Sequence, residues 1–229
     1  MPDQDHRYSD AEIAALWRTL RERRDMRHFL PAGEAEPLPD GLLERLVLAA
    51  HLAPSVGFMQ PWRFIRISDP VLREAMHAQV DAERRRTAAA LPSRNEEFLK
   101  VKIEGIRECA ELLVVALMPG REQHIVGRRT LPEMDVASVG CAIQNMWLAA
   151  RAEGIGLGWV SFFEPGSLAG LLGLPAGAHP LGILCIGRVE AFYPRPMFED
   201  AGWGKRLNLA QVLFENRWPA DAQPTPTAY

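Results

Sequence analysis

The chain has 229 residues, 48% hydrophobic and 24% charged, the composition of a globular protein with a sizeable core. With 29 acidic and 26 basic residues it has no basic field for nucleic acid, and no apolar run approaches the roughly 20 residues that span a bilayer. Three scattered cysteines (Cys109, Cys141, Cys185) and a polar Met1–Ser9 without a signal-peptide apolar region point to reduced thiols in the cytoplasm.

Ser9 and Glu12 have capping-box spacing, and Ile13, Leu16, Trp17 and Leu20 follow as one apolar stripe of a first helix. That helix runs out at Arg23-Arg24-Asp25-Met26-Arg27, three arginines and one carboxylate in five residues. Cations at a helix C-terminus can simply answer the helix dipole, or they can bind an anion. Phe29 and Leu30 turn inward, and a Pro-rich loop leads to a second helix with Asp40 as N-cap and Leu42, Leu43, Leu46 and Val47 on its buried side. The loop Ala53–Trp62 holds two prolines and a glycine. It is either a core plug or a pocket wall, with Ser55 and Gln60 polar among Phe58, Met59 and Trp62.

Trp62–Ile67 reads as a strand with Trp62 and Phe64 on one face and Ile65 and Ile67 on the other. Asp69-Pro70 opens a third helix. The stretch 81–107 is charge-rich, broken at Leu91-Pro92-Ser93, and helical again from Asn95 to Glu108. Glu111–Met118 suits a strand buried on both faces. A loop with Arg121, Arg128 and Arg129 precedes a long helix from Asp135 to about Glu153, which Gly154 ends. Gly156–Phe163 is a glycine-punctuated strand, a mark of close approach by another backbone or a ligand. A short helix at 165–172 and a buried strand Leu181–Gly187 follow. The tail beyond Phe192 carries Trp203, Leu207, Val212, Leu213, Phe214 and Trp218, too apolar for solvated disorder, and a partner subunit is its natural support. The pattern is one α+β domain, 1–229.

The six histidines are scattered without an HExxH-type pair, so no metal site is expected, and no GxSxG elbow is present. Anion binding fits better. Arg23, Arg24 and Arg27 with the distant Lys205 and Arg206 suit one phosphate, and the apolar loops suit a flat ring.

With Arg23–Arg27, Ala53–Trp62, Pro132–Asp135, Gln144–Gly154 and Gly158–Ser161 together, the chain resembles the FMN-binding nitroreductase-like superfamily over residues 10 to 218. Within it the resemblance is closest to the 5,6-dimethylbenzimidazole synthase branch. It implies a nitroreductase-like fold: a mostly antiparallel sheet of about five strands flanked by helices. It also implies a lid over residues 81–107 and a C-terminal extension, 193–229, packed on the partner of a homodimer. The implied reaction is the oxygen-dependent fragmentation of reduced FMN to 5,6-dimethylbenzimidazole and erythrose 4-phosphate. A separate flavin reductase would supply the reduced flavin from NAD(P)H. The implied flavin-binding residues are Arg23, Arg24, Asp25, Met26, Arg27, Ser55, Met59, Gln60, Gly158, Trp159, Ser161 and Arg206, with Ser55, Met59 and Gln60 reaching in from the other subunit. Asp25 and Ser161 stand at the branch's catalytic positions, Asp25 as a general base whose ionised form the flanking arginines should favour. Each has a plainer alternative: Asp25 pairing with Arg24 or Arg27, Ser161 satisfying a strand neighbour. Two other functions stay open, an NAD(P)H-dependent nitro- or quinone reductase and a non-catalytic flavin-binding module.

Overall fold

The computed structural model describes residues 6–91 and 93–219. Helix α1 (Asp10–Glu22) begins on the expected capping box: the Glu12 N–H donates to Ser9 Oγ, and Glu12 Oε2 accepts the Ser9 N–H at 2.9 Å. It stops because Arg23 turns extended and the Arg24 guanidinium takes the carbonyls of Arg21 (2.7 Å) and Arg23 (2.8 Å). No α1 residue is buried, and the Leu16–Trp17–Leu20 stripe faces outward, Trp17 at 55% exposure.

Helix α2 (Leu42–His51) buries Leu42, Leu46 and Ala50. Its N-cap is Gly41 in the left-handed region, φ +67°, not Asp40, whose carbonyl instead accepts from Arg45. Leu30 stays exposed while Phe29 is buried. Strand β1 (Trp62–Arg66) leads into α3 (Pro70–Ala89), where Asp69 accepts the Val71 N–H at 2.8 Å and Pro70 opens the helix as expected. The resumed helix is short, α4 (Asn95–Lys100), and turns follow it to Cys109. Strand β2 (Glu111–Leu117), α5 (Met134–Ala152), β3 (Gly156–Val160), α6 (Pro165–Leu171) and β4 (His179–Gly187) complete the body, and α7 (Met197–Asp200) lies in the tail.

The sheet has the order β1-β2-β4-β3 and every pairing is antiparallel. It has four strands among the described residues, against about five expected. Alternation divides the core into two layers. Ile65, Ile67, Leu112, Val114, Ile183 and Cys185 pack with α3, α4 and α6 on one face. Trp62, Phe64, Leu113, Val115, Leu117, Leu184 and Ile186 pack with α2 and α5 on the other.

Each edge strand carries side-chain cover. On β1, Arg63 donates outward to the carbonyls of Trp62 (2.7 Å) and Gln60 (3.1 Å). Beside β3, Asp25 makes an isolated parallel bridge to Leu157, and the Met26 N–H donates to the Leu157 carbonyl at 3.0 Å. Gly158 allows this approach. A Cβ there would lie 2.1 Å from the Met26 carbonyl oxygen, so the glycine in the strand does mark another backbone. Gly158→Ala should push Asp25–Met26 off the sheet at a cost of about 1–3 kcal/mol, read as a lowered urea midpoint; an unchanged midpoint would show that the segment shifts freely.

Candidate flavin site beside strand β3

The arginine motif is built onto β3 by side chains as much as by backbone. Asp25 Oδ1 accepts the Trp159 N–H at 3.0 Å, and Arg27 Nη2 donates to the Trp159 carbonyl at 2.7 Å and to Asp25 Oδ2 at 2.5 Å. The two side chains thus hold both backbone polar groups of one residue, Trp159. Trp147, from α5, donates its indole N–H to the carbonyls of Arg24 (3.0 Å) and Leu157 (2.9 Å) and lies beneath the Arg23 guanidinium, 4.4 Å from ring centroid to Cζ. Tyr193 closes the far side: its hydroxyl accepts the N–H groups of Arg27 and His28, each at 3.1 Å.

A cavity of about 500 Å³ opens here, within the roughly 300–1,000 Å³ of small-molecule sites. Trp17, Leu20, Arg21, Arg23, Arg24, Asp25, Pro196–Phe198 and Arg206 line it. Arg206 therefore meets the motif across most of the chain, as the sequence suggests. The other arginines divide their work. Arg24 is spent on the carbonyls of Arg21, Arg23 and Pro194. Arg27 is only 7% exposed and points into the protein, leaving Nη1 buried without a partner among the described residues. Lys205 does not line this cavity but an adjoining open groove shared with Arg206. Arg23 and Arg206 remain as cations facing the space, and Arg21 joins them.

Asp25 is 41% exposed toward the cavity and enclosed on its other sides. Burial pushes its carboxyl above the usual aspartate range, against the opposing pull of Arg27, the Trp159 N–H and Arg23. The arginines favour the ionised form, as the sequence suggests, and desolvation opposes them and outweighs them. Burial likewise draws the Arg23 guanidinium down, reinforced by Arg24 and Arg206 and opposed by Asp25.

The remaining expected residues fall in two places. Met26 is fully buried in the core, Gly158 meets Met26, and the Trp159 ring packs edge-on against Trp147 at 6.5 Å. Ser161 is exposed just past the end of β3 and is not among the cavity-lining residues. Ser55, Met59 and Gln60 precede β1, on the opposite edge of the sheet, roughly 20 Å away at about 4.8 Å per strand. Ser55 Oγ accepts the Gln60 N–H at 3.0 Å, Met59 is buried, and Phe58 (82% exposed) and Gln60 hold left-handed φ of +55° and +50°. Unpaired left-handed non-glycine residues cluster at functional sites.

Sequence reasoning missed Arg21, the Pro196–Phe198 wall, Trp147 and Tyr193. Arg21 was visible, one turn after Trp17 on the stripe's flank; the others come together only through the fold. For an anionic, planar group the residues present fit: Arg23 and Arg206 face the space, and the Arg27 donor lies unpartnered behind it.

Known proteins agree with this frame. The profile of the Nitroreductase family matches residues 20–188. A 5,6-dimethylbenzimidazole synthase of Rhodospirillum rubrum is 39% identical over 189 residues, 80% of this chain and 86% of that one. Iodotyrosine deiodinase, solved with FMN and 3-iodo-L-tyrosine, superposes with TM-score 0.68 at 20% identity, covering 89% of this chain and all of that one. A BluB-like flavoprotein from Clostridium difficile 630 superposes with TM-score 0.67 at 17% identity, covering 88% and 99%. The matched profile begins at the end of α1, takes in the Arg23–Arg27 motif and closes just after β4, so the chain belongs to the Nitroreductase family.

Proposed function

We propose that this protein fragments reduced FMN with O2 to 5,6-dimethylbenzimidazole and erythrose 4-phosphate, the lower-ligand step of vitamin B12 synthesis. The carrying observation is one cavity in which the Asp25 carboxyl sits with Arg21, Arg23 and Arg206. The 39% identity to the Rhodospirillum rubrum synthase supports the reading.

Reduced FMN, when bound, supplies both the electrons for O2 and the carbon skeleton of the product. The chain's residues do the rest. Arg23 and Arg206 hold the phosphate, and Arg21 adds to their field. Trp147 carries the Arg23 guanidinium and fixes the Arg24 carbonyl, so the motif cannot swing away from β3. Asp25 moves protons at its carboxylate, where Arg27 favours the ionised form and burial opposes it. Ser161, just past β3, would donate to the ring edge if the bound flavin extends beyond the cavity toward it.

A second copy of the chain completes the site. Within one chain Ser55, Met59 and Gln60 lie across the sheet from Asp25, and a partner subunit brings its own set to this edge. Leu16, Trp17, Leu209, Leu213 and Trp218 form the exposed apolar surface that dimerisation covers. A separate flavin reductase feeds the site from NAD(P)H.

The test is the fate of the flavin. Protein, FMN, NADH, a flavin reductase and air should yield dimethylbenzimidazole by mass spectrometry. Intact FMN with rapid nitro-compound reduction would replace this reading with a conventional reductase.

Asp25→Asn should lower kcat by roughly 10²–10⁴-fold while FMN still binds; an active variant removes Asp25 from the chemistry. Because a base works ionised and its pKa is raised, activity should fall with acid through a limb above the usual aspartate range. Arg27→Lys, which loosens the contact favouring ionisation, should move that limb higher.

Trp17→Glu should shift the sedimentation of the protein toward monomer and weaken FMN binding with it; an intact dimer would place the interface elsewhere.

A further inference from the structure

The glycine-flanked Trp203 in the tail is the only buried residue between 188 and 219, and every one of those residues is described. Its neighbours Gly202 and Gly204 are exposed, and Gly202 is left-handed at φ +72°. Among the described residues from Ala201 onward the tail has no regular element except a single turn of 3-10 helix at Leu209–Gln211. One side chain therefore fixes where this stretch runs.

The indole is held from three directions. The Arg94 guanidinium stacks over it with Cζ 3.6 Å from the ring centroid, and Phe98 of α4 meets it edge-on at 5.9 Å. Phe198 of α7 meets it at 6.1 Å, and the Trp203 backbone N–H donates to the Phe198 carbonyl at 2.8 Å. Phe98 also touches Phe162, the residue after Ser161, at 5.8 Å. Phe198 lines the Arg23 cavity, and Arg206, three residues past Trp203, lines it too.

None of the described residues within 81–107 lines that cavity. The excursion nonetheless reaches it indirectly, because Phe98 of α4 packs on Trp203, Trp203 packs on Phe198, and Arg206 follows Trp203 by three residues. Resting on the flavin reading above, we infer that Trp203, stacked under Arg94, is a positioning residue that aims Arg206 at the phosphate of the bound flavin. The indole touches no reacting group. It turns an otherwise loose tail into a fixed wall, so the charge of Arg206 is presented rather than sampled.

Phosphate selectivity distinguishes this role from plain structural support. Loss of a charge-assisted contact to phosphate weakens FMN but not riboflavin, whereas general loosening weakens both. Dissociation constants for FMN and riboflavin are read from quenching of flavin fluorescence. The wild-type protein should prefer FMN. Trp203→Leu should weaken FMN about tenfold and leave riboflavin within about twofold, since one such contact is worth roughly a factor of ten or more. Trp203→Phe, which keeps an aromatic platform, should recover most of the preference. Trp203→Leu combined with Arg206→Ala should be no worse than Arg206→Ala alone, because both remove the same contact. Arg94→Met keeps the indole and removes only the cation, and should show the same selective loss in smaller measure even if Trp203→Leu fails to fold.

Equal loss of FMN and riboflavin, or unaltered FMN affinity in Arg94→Met and Trp203→Leu, overturns the inference while leaving the flavin site standing. A wild-type protein that binds neither flavin fails at the earlier reading, and this inference falls with it.

Discussion

Asp25 and Arg27 hold both backbone polar groups of Trp159, one accepting its N–H and the other donating to its carbonyl. With the Met26 N–H on the Leu157 carbonyl, this grip seats the segment after α1 on the edge of β3. Side chains here do what a ladder of backbone bonds does elsewhere, so the segment runs parallel to β3 yet forms only an isolated bridge. This is why the sheet has four strands. The cavity depends on the same hold: Arg23 lies over Trp147, Asp25 lines the open space, and Trp17 and Leu20 of α1 are walls.

Three arginines in five residues thus perform three kinds of work. Arg24 ends a helix, Arg27 registers a loop, and Arg23 alone of the three faces the cavity without a hydrogen bond among the described residues. A stretch that reads as one cationic patch is mostly internal scaffolding. Its carboxylate then sits among charges that favour ionisation and in an enclosure that opposes it, and the enclosure prevails.

What was legible in the sequence follows from how far each signal reaches. The Ser9–Glu12 capping box, the Asp69-Pro70 helix start, the two-faced β1 and the Gly158 contact are local patterns, and all are present. Asp40 failed as an N-cap because a left-handed glycine one residue later took that role. The helix from Asn95 ended early since the chain must return to β2, and Phe98 and Ile106 both turn into the core on the way. The roles of Trp147, Tyr193 and the Pro196–Phe198 wall depend on contacts across more than a hundred residues, which no spacing encodes. The depth of Arg27 and Met26 was likewise invisible, since charge and hydropathy do not say which face of a loop meets a strand.

The outward donors of Arg63 have a consequence for how subunits meet. They occupy two carbonyls on the open side of β1, while the Arg23–Arg27 segment covers β3. Exposed strand edges are templates for runaway pairing between chains. The chain thus shows other chains exposed apolar helix surface, but a guarded start to β1 and a covered β3. Encounters between chains are thereby turned away from sheet extension, which does not close on itself.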